Sequence, residues 1–179
     1  MSDNKKRRRW RAYLDDFQKD ATGQYVYTGK HYAFAGSPGE RKKYFAKIVV
    51  FGVLGLLATA VPEFFPPVKI SQTPVTVVPW LLQAVAVVLV CWSIARVLVH
   101  TSELRAYVYQ ATIPSLPAKS MIAAVLSGIT LVCQIIYFFA NGLALNGFTV
   151  VRLAGSAVAA ASEILLFFAV RAGKWEEKI

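Results

Sequence analysis

The sequence predicts an all-α membrane protein with four transmembrane helices, N-in/C-in, preceded by a short cytoplasmic N-terminal segment containing a β-hairpin. Three observations predict it. The 179 residues are 56% hydrophobic with mean hydropathy +0.46, and the apolar residues come in blocks long enough to cross a bilayer core of roughly 30 Å. Twelve of the twenty Lys and Arg precede Ile48, as expected of a cytoplasmic flank facing an anionic leaflet. The stretch 149–171 holds one acid, Glu163, in an otherwise small and apolar run. An acid at a helix centre costs roughly 2.5–3.5 kcal/mol toward lipid, so Glu163 is expected to face a protein interior built by three further spans.

The division is 1–43 as a basic, aromatic cytoplasmic segment, 44–171 as the four-helix bundle, and 172–179 as a cytoplasmic tail. MSDNKKRRRW has no apolar h-region, so no cleaved signal peptide is expected. KKRRRWR reads as a topology and lipid-surface signal rather than an RNA-binding arm. In 11–21, Tyr13, Leu14 and Phe17 at helical spacing suggest a short amphipathic helix.

QYVYTGKHYAF suggests a hairpin turning at Gly29 and Lys30, with Tyr27 opposite Tyr32, Tyr25 opposite Phe34, and all four rings on one face. An irregular aromatic loop is the competing reading. That face would pack on the bundle, on headgroups or on a partner, and Arg41, Lys42 and Lys43 form a basic collar beside it. Tyr25, Tyr27, Tyr32, Phe34, Arg41, Lys42 and Lys43 thus make a candidate partner or lipid surface.

The first span, about 44–61, has small residues Gly52 and Gly55 for close helix approach and one interior polar side chain, Thr59. PEFFPPVKISQTP is too proline-rich to continue it. The second span, about 75–99, carries Gln83 toward its outer end and Arg96 toward its inner end. Arg96 either snorkels to the interface or pairs with Glu163. The helix is expected to run on past His100 until Pro114 and Pro117 stop it.

The third span, about 120–143, places Ser127, Thr130, Gln134, Tyr137 and Asn141 at i, i+3, i+7, i+10 and i+14, one helix face. Such a stripe is costly against lipid and should face the bundle or a partner. In the fourth span, about 149–171, Arg152 and Glu163 are about three turns apart on nearly one face, with Gly155 and Ala159 at small-xxx-small spacing between them. A close seam against the third span follows, with Arg152 near Asn141 and Glu163 near Ser127 and Thr130. GKWEEKI reads as a polar tail with an interfacial Trp175.

Eighteen of the twenty basic residues fall in the N-terminal segment, the second connection and the tail or at the span ends that adjoin them, which puts both termini in the cytoplasm, expected to be that of a bacterium bounded by its plasma membrane. GxSxG, HExxH and GxxxxGK[ST] motifs are absent, and two His and two Cys outside any ligand spacing argue against a cofactor or metal. The expected function is non-enzymatic: an accessory or assembly subunit of a larger transport or energy-coupling complex, with membrane lipids and another membrane protein, or a second copy, as partners and no nucleic acid. The alternative is a small oligomeric carrier or channel using Glu163 as its proton or cation site, and a third reading is a membrane-embedded enzyme.

Overall fold

In α1 (Pro38–Ala60) the sequence supplies its own start. Ser37 accepts from Glu40 N while the Glu40 carboxylate accepts from Ser37 N at 2.8 Å, and Pro38 occupies the first turn, where its missing N–H does least harm. This capping box starts the helix six residues before the expected Tyr44. The computed structural model describes residues 17–20, 22–99 and 103–178. The expected helix over 11–21 lies mostly outside them, and the part that is described contradicts it: Phe17–Lys19 is a strand.

Four helices are long and apolar enough to cross a membrane: α1, α2 (Pro74–Val99), α4 (Leu116–Ala140) and α5 (Gly147–Arg171). A short helix α3 (Ala106–Thr112) precedes α4. The second helix therefore does not run unbroken to the prolines. Pro117 opens α4 in its first turns instead of ending a helix. After α1 the chain makes two 3₁₀ turns, Val61–Phe64 and Lys69–Ser71. Asn146 caps α5 by accepting from Thr149 N at 2.8 Å.

The long helices pack in the cyclic order α1, α2, α4, α5, each against two neighbours. Buried positions follow three-four spacing: Tyr44, Ile48, Gly52, Gly55 and Thr59 on α1; Leu116, Ser120, Ala123, Ser127, Thr130 and Gln134 on α4. The interior of α4 and α5 is largely small and polar, whereas large apolar side chains such as Leu57, Leu81, Val85, Ile136 and Phe168 are exposed on the outside. A bundle in water sorts residues the other way; close-packed small residues inside and apolar bulk outside suit an apolar solvent.

One end of the bundle is closed by a sheet. β3 (His31–Phe34) is its central strand, with β4 (Leu104–Arg105) on one side and β5 (Trp175–Lys178) on the other, both antiparallel. β1 (Phe17–Lys19) and β2 (Tyr25–Tyr27) form a separate hairpin, with Phe17 opposite Tyr27 and Lys19 opposite Tyr25. A hairpin is present, but not the expected one. Gly29 and Lys30 do not join paired strands, because β3 takes the connection and the tail as its partners instead. Tyr32 faces Glu177 and Phe34 faces Trp175. Beneath the sheet, Val97, Leu104, Val108 and Ile113 form a small apolar core of their own.

Candidate functional site

The site is built on the inner face of α5. Glu163 is 0% exposed, and neither carboxylate oxygen has a hydrogen-bond partner among the described residues. It faces Gly55 of α1, where a Cβ would lie 2.5 Å from Oε1 and 3.2 Å from the Ser162 hydroxyl. That hydroxyl is already committed to the carbonyls of Val158 and Ala159, at 2.8 and 2.9 Å. Glycine at 55 is what lets a carboxyl fit between the two helices.

The far side of the same turn carries an amide chain. Gln83 Nε2 of α2 donates to Thr59 Oγ1 at 3.1 Å, Thr59 Oγ1 donates to the Gly55 carbonyl at 2.9 Å, and Trp80 Nε1 donates to the Thr59 carbonyl at 3.4 Å. Gln83 Oε1 is buried without a partner. Three helices thus converge on one turn of α1.

Toward the end away from the sheet, Arg152 is 5% exposed and its Nη1 lies 2.6 Å from Oε1 of Glu63, whose side chain is 35% exposed. Next along α5, Ser156 Oγ donates to Gln134 Oε1 at 2.9 Å, the hydrogen bond that joins the α4 stripe to α5. Gly155 meets Pro62 and the Ala58 carbonyl, so this small residue seats α5 against α1 and not against α4.

Several of the expected neighbours are not hydrogen-bonded to one another. Arg152 pairs with Glu63 and not with Asn141, which is exposed in the turn after α4 with its side chain donating to the Tyr137 carbonyl at 2.9 Å. Thr130 donates to the Leu126 carbonyl at 2.9 Å, and the buried Ser127 hydroxyl has no partner, so neither bonds to Glu163. Tyr137 is half-buried, while Arg96 is exposed and makes no ion pair with Glu163. Ser156 and Glu163, seven residues apart, lie on nearly one face of α5, and Glu163 meets Gly55 of α1 while Ser156 meets Gln134 of α4. The proline-rich PEFFPPVKISQTP hides Glu63 from sequence, yet Gly55, Thr59 and Glu63 at i, i+4 and i+8 mark one face that continues through the first 3₁₀ turn.

At the sheet end the aromatic residues have separate tasks. Tyr32 stacks on Tyr109 with ring centroids 4.0 Å apart, and Phe34 meets Trp175 edge-on at 5.8 Å. The Tyr27 hydroxyl accepts from Ala106 N at 3.1 Å and donates to the Lys30 carbonyl at 3.2 Å, with the Arg105 guanidinium over its ring. Trp175 stands not in a loose tail but in a strand, within reach of Tyr44, Phe45 and Tyr109 as well. Only Tyr25, 69% exposed, remains outward, with Lys19 over its ring. Arg41 lies over the Phe45 ring, and Lys42 and Lys43 are exposed. Among the described residues no three His, Cys, Asp or Glu side chains form a metal-sized cluster.

No protein-family model, curated protein or solved structure matches the chain.

Proposed function

We propose that this protein is a non-enzymatic, multi-pass membrane subunit that assembles with another membrane protein through the β1–β2 hairpin, with the sheet end in the cytoplasm. The observation that carries the reading is the contrast within that hairpin. The Tyr27 end of β2 is fixed to the bundle, while the same strand holds Tyr25 at 69% and Val26 at 47% exposure. An ordered aromatic and β-branched strand left in the open is a surface that a partner would desolvate. The basic collar would hold this end against an anionic leaflet.

A photo-cross-linking residue at Tyr25, activated in intact cells, tests it. One stoichiometric membrane-protein adduct is expected, lost in the Val26→Asp variant and absent when the cross-linker stands at Lys69. A chain that gives no adduct and elutes alone and monomeric in mild detergent overturns the reading.

A second reading is favoured by one observation: both oxygens of Glu163 are buried and unused. A proton or small cation arriving there would meet an acceptor with no competitor, as in a proton-coupled carrier. Proteoliposomes of the Glu163→Gln variant distinguish the two, since flux abolished with assembly intact supports the carrier and unchanged flux removes it.

A further inference from the structure

Where α1 begins and α5 ends, the two antiparallel helices change character at the same level. Along α1 the outward positions step from Lys43 to Lys47 to Phe51, four residues and about one turn apart. Along α5 they run the opposite way, from Leu165 and Phe168 up to Ala172, with Lys174 just beyond the helix. Between them is a groove of about 610 Å³ whose rim is basic and whose lower wall is apolar. Phe168 is 62% exposed and Leu165 48%.

The charges at the rim are available. None of Lys43, Lys47 and Lys174 is in an ion pair among the described residues, whose three pairs are Lys30 with Glu177, Arg152 with Glu63 and Lys178 with Glu103. The one carboxylate lining the groove is Glu40; it is held by the Ser37 amide and hydroxyl as the helix cap and feels the charges of Lys174 and Lys43 without forming an ion pair with either. Three cations against one committed anion leave a site that favours negative charge.

We infer that this groove binds one anionic phospholipid, its phosphate held by Lys43, Lys47 and Lys174 and its acyl chains laid over Phe51, Leu165 and Phe168. The inference rests on the membrane reading above, and it names which lipid class the protein retains and where. A soluble phosphate would use the rim alone. The adjoining exposed aromatic and aliphatic wall, continuous with the outer face of helices long enough to cross a membrane, has a use only for a ligand that carries hydrocarbon.

The full chain is reconstituted in nanodiscs of phosphatidylcholine with phosphatidylglycerol, extracted in mild detergent, and its retained lipids are counted by native mass spectrometry. One phosphatidylglycerol per chain is expected. Replacing Lys43, Lys47 and Lys174 together by Gln should lower its retention at least about tenfold, since each basic group near an anionic headgroup is worth about fivefold. Phe168→Ser should also lower it with the charges unchanged, and Lys69→Gln should not. If the triple variant folds poorly, Lys174→Gln, which lies outside the helices, should shift retention in the same direction by a smaller factor.

Equal retention by the wild type and the lysine variants overturns the inference, as does equal retention of phosphatidylcholine. Displacement of the lipid by millimolar inorganic phosphate assigns the rim to a free anion instead. The cross-link from Tyr25 does not involve the groove, so loss of the lipid with the adduct kept removes this inference alone. A chain that never enters the nanodisc removes the membrane reading as well.

Discussion

At Gly55 a hydrogen stands where any other residue would place a carbon against the Glu163 carboxylate. Gly55→Ala should therefore destabilise the bundle by about 1–3 kcal/mol, the usual cost of overpacking. Glu163→Ala removes the obstructing atoms, so the double variant should be more stable than the sum of the single ones predicts. A double-mutant cycle by denaturant titration in detergent measures that coupling, and strict additivity would remove the contact from consideration. The inward position of Glu163 was legible because an acid within an apolar span has one inexpensive direction. Its neighbour was not, because a glycine carries no polarity by which sequence could pair it.

The same limit applied to Arg152. Its burial could be argued from the cost of a charge in a span, but its partner lies across a connection whose conformation the prolines hide. Glu63→Ala should cost about 1–3 kcal/mol, less than for a fully buried pair because Glu63 is partly exposed, by leaving the Arg152 guanidinium without its carboxylate. Arg152→Met should cost less than Glu63→Ala, and the same titration orders the two.

Among the elements, β3 shows best what periodicity cannot reveal. Its four residues contain the aromatics that suggested a local hairpin, and local pairing is the simplest inference when two aromatic runs flank a glycine. The alternative partners, 104–105 and 175–178, are distant in sequence and short, so neither announces itself as a strand. What decides the matter is the aromatic layer beneath: Tyr109, Tyr44 and Phe45 give Tyr32, Phe34 and Trp175 a surface that an isolated hairpin would lack.

Removing 175–178 should then strip hydrogen-exchange protection from 31–34 and leave the long helices protected. The edges of this sheet also respond to pH. Lys178 donates to Glu103 at 2.6 Å and holds its carboxyl below the ordinary range, so this contact contributes above the unfolded carboxylate value and is lost as pH falls through the lower folded value. Lys30, hydrogen-bonded to Glu177, is raised, and its contribution is lost as pH rises through that higher value. Protection factors at 103–105 and 175–178, exchange rates divided into their intrinsic base-catalysed values, should be highest between about pH 5 and 10 and fall below about pH 4. Protection factors that are flat across acid would show that these pairs do not hold the strands.

For the molecule as a whole, four long apolar helices were legible from block hydropathy alone, because an 18-residue apolar window needs no tertiary context to be recognised. Their ends were less legible. Capping at Ser37 and Asn146 sets them, and a cap is a single residue against a span of more than twenty. Basic-residue counting had grouped the N-terminal segment, the second connection and the tail. β3, β4 and β5 join those same three segments in one sheet, so they lie at one end whatever the solvent around the helices. With Cys91 and Cys133 replaced, cysteines at Lys178 and Ser71 should react with a membrane-impermeant thiol reagent from opposite sides of a sealed vesicle. Labelling of both from one side would contradict a bundle that spans the bilayer.

The order in which the ribosome delivers this sheet has a consequence for biogenesis. β3 emerges before any of the long helices, gains β4 only after two of them, and must wait for all four before β5 exists to cover its other edge. Until β5 is made, a nascent chain therefore displays an open strand edge that β5 later covers. Chains truncated within α5 would keep that edge exposed and free to pair with another strand.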